Sequence, residues 1–389
     1  MIACDDCLRR TALVAALAPH VERARRQQRH LRELLALADE ELLAAIGGQR
    51  RGELERSHAA FEASTARQEL ERTGLYAVCR HADGYPSRLL DAADAPAVLH
   101  VAGDPRRLTS LAHAGVAAVA IVGARRAGPE GLEVARGLGR GLAAAGVTVV
   151  SGMALGIDSA AHAGALEVGG PTLTVLAGGA DVPYPPSKRN LYRSLVATQA
   201  AVSEMPPGMR PWRWAFPARN RTIAGLASLT IVVEATERSG SLITAELAQQ
   251  LGRTVGAVPG PVTAPRCAGT NALLRDGALV IRDAQDALDE ALGIGVATAL
   301  AGRRASELES PLRVLLREVE NGRDSVAALA STPAEASSAL AGLAELELLG
   351  FLRRGPGGVT PGCCRPMTGF AQARAPGAQS SIVAPLCSG

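Results

Sequence analysis

Short runs of apolar residues alternate with helical stretches between residues 116 and 281, and this alternation constrains the fold more than any other feature. The first run is VAAVAIVG (116–123); VTVVSG, TLTVLAGG, LTIVVEA and TVGAVPG follow, and most of the intervals leave room for a helix. Strands that are apolar on both faces are typical of parallel sheets covered by helices. The pattern therefore predicts an α/β fold with a doubly wound, mainly parallel sheet. Such sheets bind ligands at the carboxyl ends of their strands.

The chain has 389 residues, which is more than a single domain with one hydrophobic core usually contains. We therefore predict that the rest of the chain forms smaller units around this core. Helical periodicity marks the N-terminal part, and a helix followed by a short hairpin with a glycine-rich tip suggests a winged helix near the C-terminus. In chain order we predict a small helical module (1–72), a connector docking on the core (73–115), the core (116–292), a linker (293–309), a winged-helix-like unit (310–361) and a disordered tail (362–389).

Charge and cysteine content exclude several classes of protein. A net charge of +3 is too small to indicate a nucleic-acid binder by itself, so that argument must rest on local clustering. No apolar run reaches about 18 residues and acids stand near the N-terminus, so we predict a cytoplasmic protein without a membrane span or signal peptide. Seven irregularly spaced cysteines also suit a reducing compartment. Cys4 and Cys7 form a lone CxxC, and since zinc needs four ligands we expect incidental thiols, no metal and no cofactor.

The segment from Asp181 to Gly225 concentrates positive charge and aromatic rings. It contains seven basic residues against two acidic ones, and five of the ten aromatic residues of the chain. The chain's one lysine, Lys188, lies in it. Cations neutralise phosphates, and rings stack on unpaired bases. The segment therefore suits single-stranded nucleic acid, although a solvated basic loop with core aromatics explains it equally well.

Several strand ends carry residues that bind anions. Gly123–Gly131 with Arg125, the run SGMALGID from Ser151, the run FPARNRTIAG with Arg219 and Arg221, and ERSGS with Ser239 each place amides, hydroxyls or cations where a helix begins. Each could be ordinary turn chemistry, and Asp158 could simply cap its helix. Together they outline a phosphate pocket with no obvious general base. Ser151, Asp158 and His162 formally allow a hydrolase, but the GxSxG elbow is missing.

These motifs also resemble a known family. The runs SGMALGIDSAAH, YPPSKRN, VSEMPPG, FPARNRTIAG, ERSGSLITAELA, VPGPV and GTNALLRDGA resemble, in order and spacing, the DNA-processing protein A (DprA/Smf) family. The resemblance spans residues 116–291, extends to DGYPSRLL before them, and is weak in the N-terminal helices. One departure is visible: the family's first motif usually reads Gly-Ser-Arg, and Ala124 stands here in place of the serine.

The resemblance implies an extended Rossmann-like fold that binds single-stranded DNA and helps load RecA recombinase, as in natural transformation. It implies a non-enzymatic protein that dimerises through the Rossmann domain. The DNA-binding residues that the motifs and the resemblance together predict are Gly123, Arg125, Ser151, Gly152, Lys188, Asn190, Arg219, Asn220, Arg221, Ser239, Gly240, Ser241 and Asn271.

Two other functions compete with this hypothesis. A nucleotide-binding Rossmann hydrolase of the phosphoribohydrolase type shares glycine-rich strand ends, but its PGGxGTxxE pattern does not follow Pro259. A transcription-factor-like role for the winged helix is disfavoured because residues 333–348 carry three glutamates and no basic residue. A structural role also competes for the arginines, which could pair with Glu204 or Glu234.

Overall fold

The computed structural model describes residues 3–27, 29–113, 115–294, 308–348, 351–355 and 358–361. Within these ranges the strands are β1 Tyr76–Cys79, β2 Val98–Gly103, β3 Ala118–Val122, β4 Thr148–Ser151, β5 Thr172–Leu176, β6 Ala200–Ser203, β7 Leu229–Val232, β8 Thr254–Ala257, β9 Leu279–Val280, β10 Leu352–Gly355 and β11 Gly358–Pro361. The predicted tail and most of the predicted linker lie outside the described residues.

Helices precede, separate and follow these strands. They are α1 Asp5–Ala16, α2 Ala18–Arg26, α3 Leu31–Ala36, α4 Asp39–Ile46, α5 Arg51–Ala59, α6 Ala63–Thr73, α7 Arg106–Thr109, α8 Pro129–Ala144, α9 Ile157–Glu167, α10 Arg189–Thr198, α11 Ala215–Leu226, α12 Gly240–Gln250, α13 Ala268–Arg275, α14 Ala284–Leu292, α15 Ser310–Glu320, α16 Val326–Leu329 and α17 Pro333–Leu348. None of the helices in the described part of the chain has an apolar run long enough to cross a bilayer.

The first nine strands form one sheet in the order β1-β2-β6-β5-β4-β3-β7-β8-β9. All neighbours from β6 to β9 are parallel, which confirms the doubly wound, Rossmann-like fold. β3 lies in the interior of the sheet, and its residues 118–121 are fully buried, as the uninterrupted apolar run predicts. From β3 the chain adds β4, β5 and β6 on one side, and then crosses back to add β7, β8 and β9 on the other side of β3. This change of direction creates a crevice at the carboxyl ends of β3 and β7.

The segment predicted as a docking connector supplies two strands to this sheet. β1 pairs with β2, and β2 pairs with β6, both antiparallel. Residues 98–102 are all buried. Residues 76–103 are therefore joined to the sheet by backbone hydrogen bonds of β2. This segment is part of the sheet, whereas the sequence analysis expected it only to dock on the core.

The N-terminal helices pack beside the basic-aromatic segment. Leu17, Val21 and Leu42 share one apolar cluster with Met205 and Trp214. Trp214 is fully buried, and its backbone N–H donates to a carboxylate oxygen of Glu22 at 3.0 Å. The small helical module is thus continuous with the core beneath the segment that carries the positive charge.

The C-terminal residues form a winged-helix-like unit with a core of its own. Helices α15 to α17 are followed by the antiparallel pair β10 and β11. Leu316, Val319, Leu343 and Leu346 are buried together with residues of the hairpin. The described residues of this unit thus have helices followed by a hairpin, and its assignment as a separate domain over 310–361 stays a prediction.

Candidate nucleic-acid interface

A pocket of about 430 Å³ opens at the carboxyl ends of the central strands, where the fold places its crevice. Seven of the predicted site residues line it: Gly123, Arg125, Arg219, Asn220, Ser239, Gly240 and Ser241. These residues come from the end of β3, from α11 and from the start of α12. The parallel sheet therefore brings together three motifs that are spread over residues 123–241 of the sequence.

Arg219 forms the floor of this pocket. Its side chain is only 7% exposed, and Nη1 donates to the carbonyl oxygen of Val175, the residue before the end of β5, at 3.1 Å. A Cβ atom on Gly152 would lie 1.3 Å from Nη1, so the guanidinium packs flat against the Gly152 backbone. Burial lowers the pKa of Arg219, partly opposed by the nearby Asp158 carboxylate. In the described part of the chain, Arg219 has no ion pair within 4.0 Å, and its buried Nε lacks a partner.

Arg125 forms the rim of the pocket. Its side chain is exposed, and the guanidinium carbon lies 5.6 Å from the centre of the Phe216 ring. Tyr184 packs on the same ring, with centroids 5.4 Å apart at an angle of 57°. A cation over an aromatic face is electrostatically favoured. The rim therefore combines one charge with two rings, of which Tyr184 is 43% exposed.

Asp158 places a carboxyl group among these cations. It accepts hydrogen bonds from the backbone N–H groups of Gly152 and Ala154, and so fixes the loop between β4 and α9. Burial raises its pKa, an effect that Arg219 opposes most strongly. The charged residues that line the pocket are Arg125, Arg219 and Asp158, so positive charge prevails whether or not the carboxyl group is ionised.

The start of α12 forms the opposite wall. Ser239 caps this helix, and its hydroxyl oxygen lies 2.7 Å from that of Ser241. Asn220 connects this wall to α11, because its side-chain amide donates to the carbonyl oxygen of Gly240 at 3.4 Å. A helix N-terminus with two hydroxyl groups is a favourable environment for an anion.

Helix α11 begins earlier than the sequence analysis expected. The motif FPARNRTIAG was expected to place its arginines at a helix start, but the helix begins at Ala215. Arg219 and Arg221 therefore lie in the interior of the helix and are buried. They are not next to the unpaired backbone N–H groups of its first turn. The additional first turn is buried against the N-terminal helices, where Ala215 and Ala218 share a cluster with Trp214, and propensity alone does not reveal such a long-range contact.

Arg221 is held by carboxylates instead of lining the pocket. It is 5% exposed and pairs with Glu204 and, at 3.6 Å, with Asp94. Thr222 donates its hydroxyl to the same Glu204. The sequence analysis named an ion pair with Glu204 or Glu234 as the alternative to a DNA contact for the arginines. Arg221 forms such a pair with Glu204, whereas Glu234 pairs with Arg266.

The remaining predicted residues lie around the pocket. Ser151 is fully buried and donates its hydroxyl to the carbonyl oxygen of Ile121. Asn271 exchanges two hydrogen bonds with the Gly260 backbone. Lys188, half-buried, and Asn190, exposed, lie at the start of α10 and do not line the pocket. A DNA contact stays a prediction for these residues, as it does for the seven that line the pocket.

The aromatic residues of the basic segment divide between core and surface. Trp214 is buried and the Tyr192 hydroxyl donates to the carbonyl oxygen of Ala180, so these two rings serve the core, as one of the two alternatives expected. Tyr184 and Trp212 are exposed, 43% and 37% respectively. The sequence analysis did not predict that Phe216 lies between Arg125 and Tyr184. The only feature of the sequence that pointed to Phe216 is the concentration of aromatic residues in this segment.

The groups considered for a hydrolase bond other partners. The Ser151 hydroxyl bonds Ile121, while Nδ1 of His162 lies 2.8 Å from the hydroxyl of Thr172. Complete burial lowers the pKa of His162 to about 3. Such an imidazole remains neutral at physiological pH, and its hydrogen bond with Ser151 is to the backbone of that residue and not to the hydroxyl group, which donates to Ile121.

The fold and the pocket define a class: Rossmann-like proteins with an electropositive crevice at the carboxyl edge of the sheet. Within that class, the sequence model described as DNA recombination-mediator protein A matches residues 76–292. The chain belongs to this family, which confirms the resemblance drawn from the motifs.

Curated relatives agree with this assignment. A putative DNA processing protein DprA of Mycobacterium tuberculosis is 45% identical over 206 residues, which cover 53% of this chain and 52% of the relative. The DNA processing protein DprA of Streptococcus pneumoniae is 39% identical over 208 residues, 54% of this chain and 71% of the relative. The chain thus spans about half the length of the mycobacterial relative.

Two solved structures are similar to this one. The X-ray structure of DNA processing protein A from Streptococcus pneumoniae matches with a TM-score of 0.59 and 31% identity, over 75% of this chain and 99% of that one. The protein from Helicobacter pylori, described by its single-stranded DNA binding mode, matches with a TM-score of 0.50 and 28% identity, over 55% of this chain and 94% of that one.

Proposed function

We propose that this protein binds single-stranded DNA in the pocket lined by Arg125 and Arg219 and acts as a recombination mediator that helps load RecA recombinase onto that DNA. The observation that carries the proposal is the pair of arginine charges facing one pocket without an ion pair in the described part of the chain. Burying a cation without a partner is costly, so such a site is built for an anion.

The shape of the pocket supports a single strand over a duplex. Arg219 lies at the bottom, the α12 N-terminus on one wall, and Arg125 with Phe216 and Tyr184 on the rim. A phosphate would reach Arg219, while an unpaired base could stack on the exposed face of Tyr184. Paired bases in a duplex are not free for such stacking, and phosphate contacts carry no sequence information. We therefore propose binding without strong sequence preference.

The RecA partner is inferred from family membership, whereas the dimer is also supported by an exposed edge of the sheet. Assistance to RecA is proposed because the chain belongs to the recombination-mediator family. Dimerisation through the sheet domain is supported by β9, an edge strand whose Leu279 and Val280 are 39% and 53% exposed. Light scattering on the full chain tests the dimer, and a Leu279→Lys variant that remains dimeric would exclude this edge.

A binding comparison tests the proposal. Fluorescence anisotropy with single-stranded and duplex DNA of equal length should show a preference for the single strand of roughly an order of magnitude, since each stacked base contributes about 1–3 kcal/mol. Equal affinity at every salt concentration would refute the binding mode. The mediator role is tested separately by measuring RecA assembly on DNA covered with single-strand-binding protein, with and without this chain.

The same preparations test the absence of enzymatic activity. We propose no turnover, because neither Ser151 nor His162 has the partner that an activated nucleophile or base needs. Release of base or phosphate that disappears in Ser151→Ala would overturn this part of the proposal.

A further inference from the structure

Four metal-ligating side chains meet away from the DNA pocket. Cys4, Cys7, Cys79 and His81 place their sulfur and nitrogen atoms within 4.8 Å of one another. The CxxC pair lies at the start of α1, and the other two residues follow from the end of β1. The sequence analysis counted only the two ligands of the CxxC, because His81 lies 77 positions after Cys4.

The spacing within the cluster suits a tetrahedral ion. Sγ of Cys4 and Sγ of Cys7 each lie 3.4 Å from Nδ1 of His81. Zinc binds sulfur at about 2.3 Å and imidazole nitrogen at about 2.0–2.1 Å, so tetrahedral angles separate the two ligand atoms by about 3.5 Å. The two sulfur–nitrogen separations agree with this value, and the ligand atoms of all four residues lie within 4.8 Å of one another, close enough to surround one ion.

The backbone holds the ligands in place on both sides. Cys4 caps α1 and its carbonyl oxygen accepts from Leu8 N–H, which sets Cys7 one turn further on. Cys79 ends β1, and its carbonyl oxygen accepts from Ala82 N–H at 2.9 Å, so His81 lies in a tight turn. Cys7 and Cys79 are 2% and 3% exposed, whereas His81 is exposed. An ion would be shielded by the protein on one side and reachable from solvent on the other.

We propose that Cys4, Cys7, Cys79 and His81 bind one structural zinc ion that fastens helix α1 to strand β1. Three thiolates and one imidazole are a closed zinc set that leaves no position for substrate, so the role is structural and not catalytic. Each thiol releases its proton to solvent when the ion binds. The ion would close a loop of more than seventy residues, and cross-links that close long loops restrict the unfolded chain most.

The location explains why such a cross-link is useful. The three cysteine ligands belong to or pack against an apolar cluster that joins Leu8 of α1, Leu70 of α6 and Val98 of β2. β1 is the outermost strand of the sheet and pairs on one side only, with β2. A zinc ion would attach this edge to the first helix and support the N-terminal module that packs beneath Trp214.

Zinc analysis of the full chain tests the proposal. Protein expressed in zinc-supplemented medium and purified under reducing conditions should contain about one zinc per chain, and Cys7→Ser or Cys79→Ser should lower this to about one tenth or less. Replacing zinc by Co²⁺ should produce the strong visible absorption of a tetrahedral thiolate site. If a variant folds poorly, native mass spectrometry measures the zinc bound to those molecules that are folded, so the comparison with wild type remains possible.

Matched controls identify the ligands. Cys267→Ser changes another buried cysteine outside the cluster and should retain the full zinc content. Joint replacement of Cys363, Cys364 and Cys387 by serine should also retain it. Wild-type protein without zinc under these conditions, loss of zinc in the Cys267 or tail variants, or a Cys4–Cys7 disulfide in the reduced preparation would overturn the proposal. None of the four ligands lines the pocket of Arg125 and Arg219, so zinc content and DNA affinity are separate readouts and failure of one proposal is distinguishable from failure of the other.

Discussion

The guanidinium group of Arg219 rests directly on the backbone of Gly152, with no room between them for a side chain. This contact joins the loop after β4 to the middle of α11. It orients Arg219 so that Nη1 donates to the Val175 carbonyl oxygen while the side chain lines the pocket. A glycine is required at position 152 because of this close approach.

A single methyl group at residue 152 should therefore disable the pocket. Gly152→Ala would displace Arg219, and we expect single-strand affinity to fall roughly tenfold or more, since hydrogen bonds to charged groups contribute about 1.5–3 kcal/mol. Gly137→Ala in α8 is the matched control, because a Cβ there meets no atom within 4 Å. Unchanged affinity in a folded Gly152→Ala protein would show that DNA binding does not depend on the contact between Arg219 and the Gly152 backbone.

Removing both pocket cations should flatten the salt dependence of binding. Each phosphate neutralised on a single strand contributes a slope of about 0.7, so Arg125→Ala combined with Arg219→Gln should lower the slope by about 1.4. Arg136→Ala, which removes a half-exposed charge paired with Glu167 elsewhere on the surface, should leave it unchanged. A wild-type slope in the folded double variant would remove both residues from the site.

Replacing Arg221 should affect stability more than DNA binding. Arg221→Ala leaves Glu204 and Asp94 without their shared partner, and breaking such a buried pair costs about 3–5 kcal/mol. Glu204→Gln in the same chain should recover part of this loss, and the exposed Arg189→Ala is the control. Denaturant unfolding measures the effect. An unaltered unfolding free energy together with weaker DNA binding would assign Arg221 to the interface instead.

Acid should destabilise the fold through His162. Its pKa is lowered to about 3 by burial, below the ordinary value of 6.5 that it regains on unfolding. Between these values only the unfolded chain binds the proton, so stability is complete above about pH 6.5 and falls by about 1.4 kcal/mol per pH unit as the pH drops. His162→Asn should reduce this dependence, whereas His30→Asn, at an exposed position, should not. An identical pH profile for His162→Asn would contradict the assignment.

The C-terminal unit should be dispensable for single-strand binding. It has an apolar core of its own, and α17 carries Glu335, Glu345 and Glu347 without a basic residue. Deleting residues 306–389 should leave the affinity within about twofold, because the remaining chain retains every phosphate contact proposed here. A truncated protein that melts like the full chain but loses most of its affinity would place a DNA contact in this unit.

The sequence by itself determined the fold class and the family. An uninterrupted apolar run such as the one at β3 indicates a buried parallel strand, and this inference does not depend on which strands lie beside it. The motifs that identify the family are short stretches of consecutive residues, so they can be recognised without coordinates. It also indicated that anion-binding residues collect at strand ends, since parallel strands share one carboxyl edge. Seven of the predicted residues indeed line one pocket.

Only the tertiary structure decided what each charged or thiol group contacts. Arg219 and Arg221 are two positions apart in one helix, yet one faces the pocket and the other pairs with Glu204, because neighbours two residues apart point in different directions. Trp214 and Tyr184 belong to one aromatic segment, but packing of the N-terminal helices buries only the first. Cys79 and His81 join Cys4 and Cys7 through pairing across the chain, and such long-range contacts leave no periodic signal in a sequence.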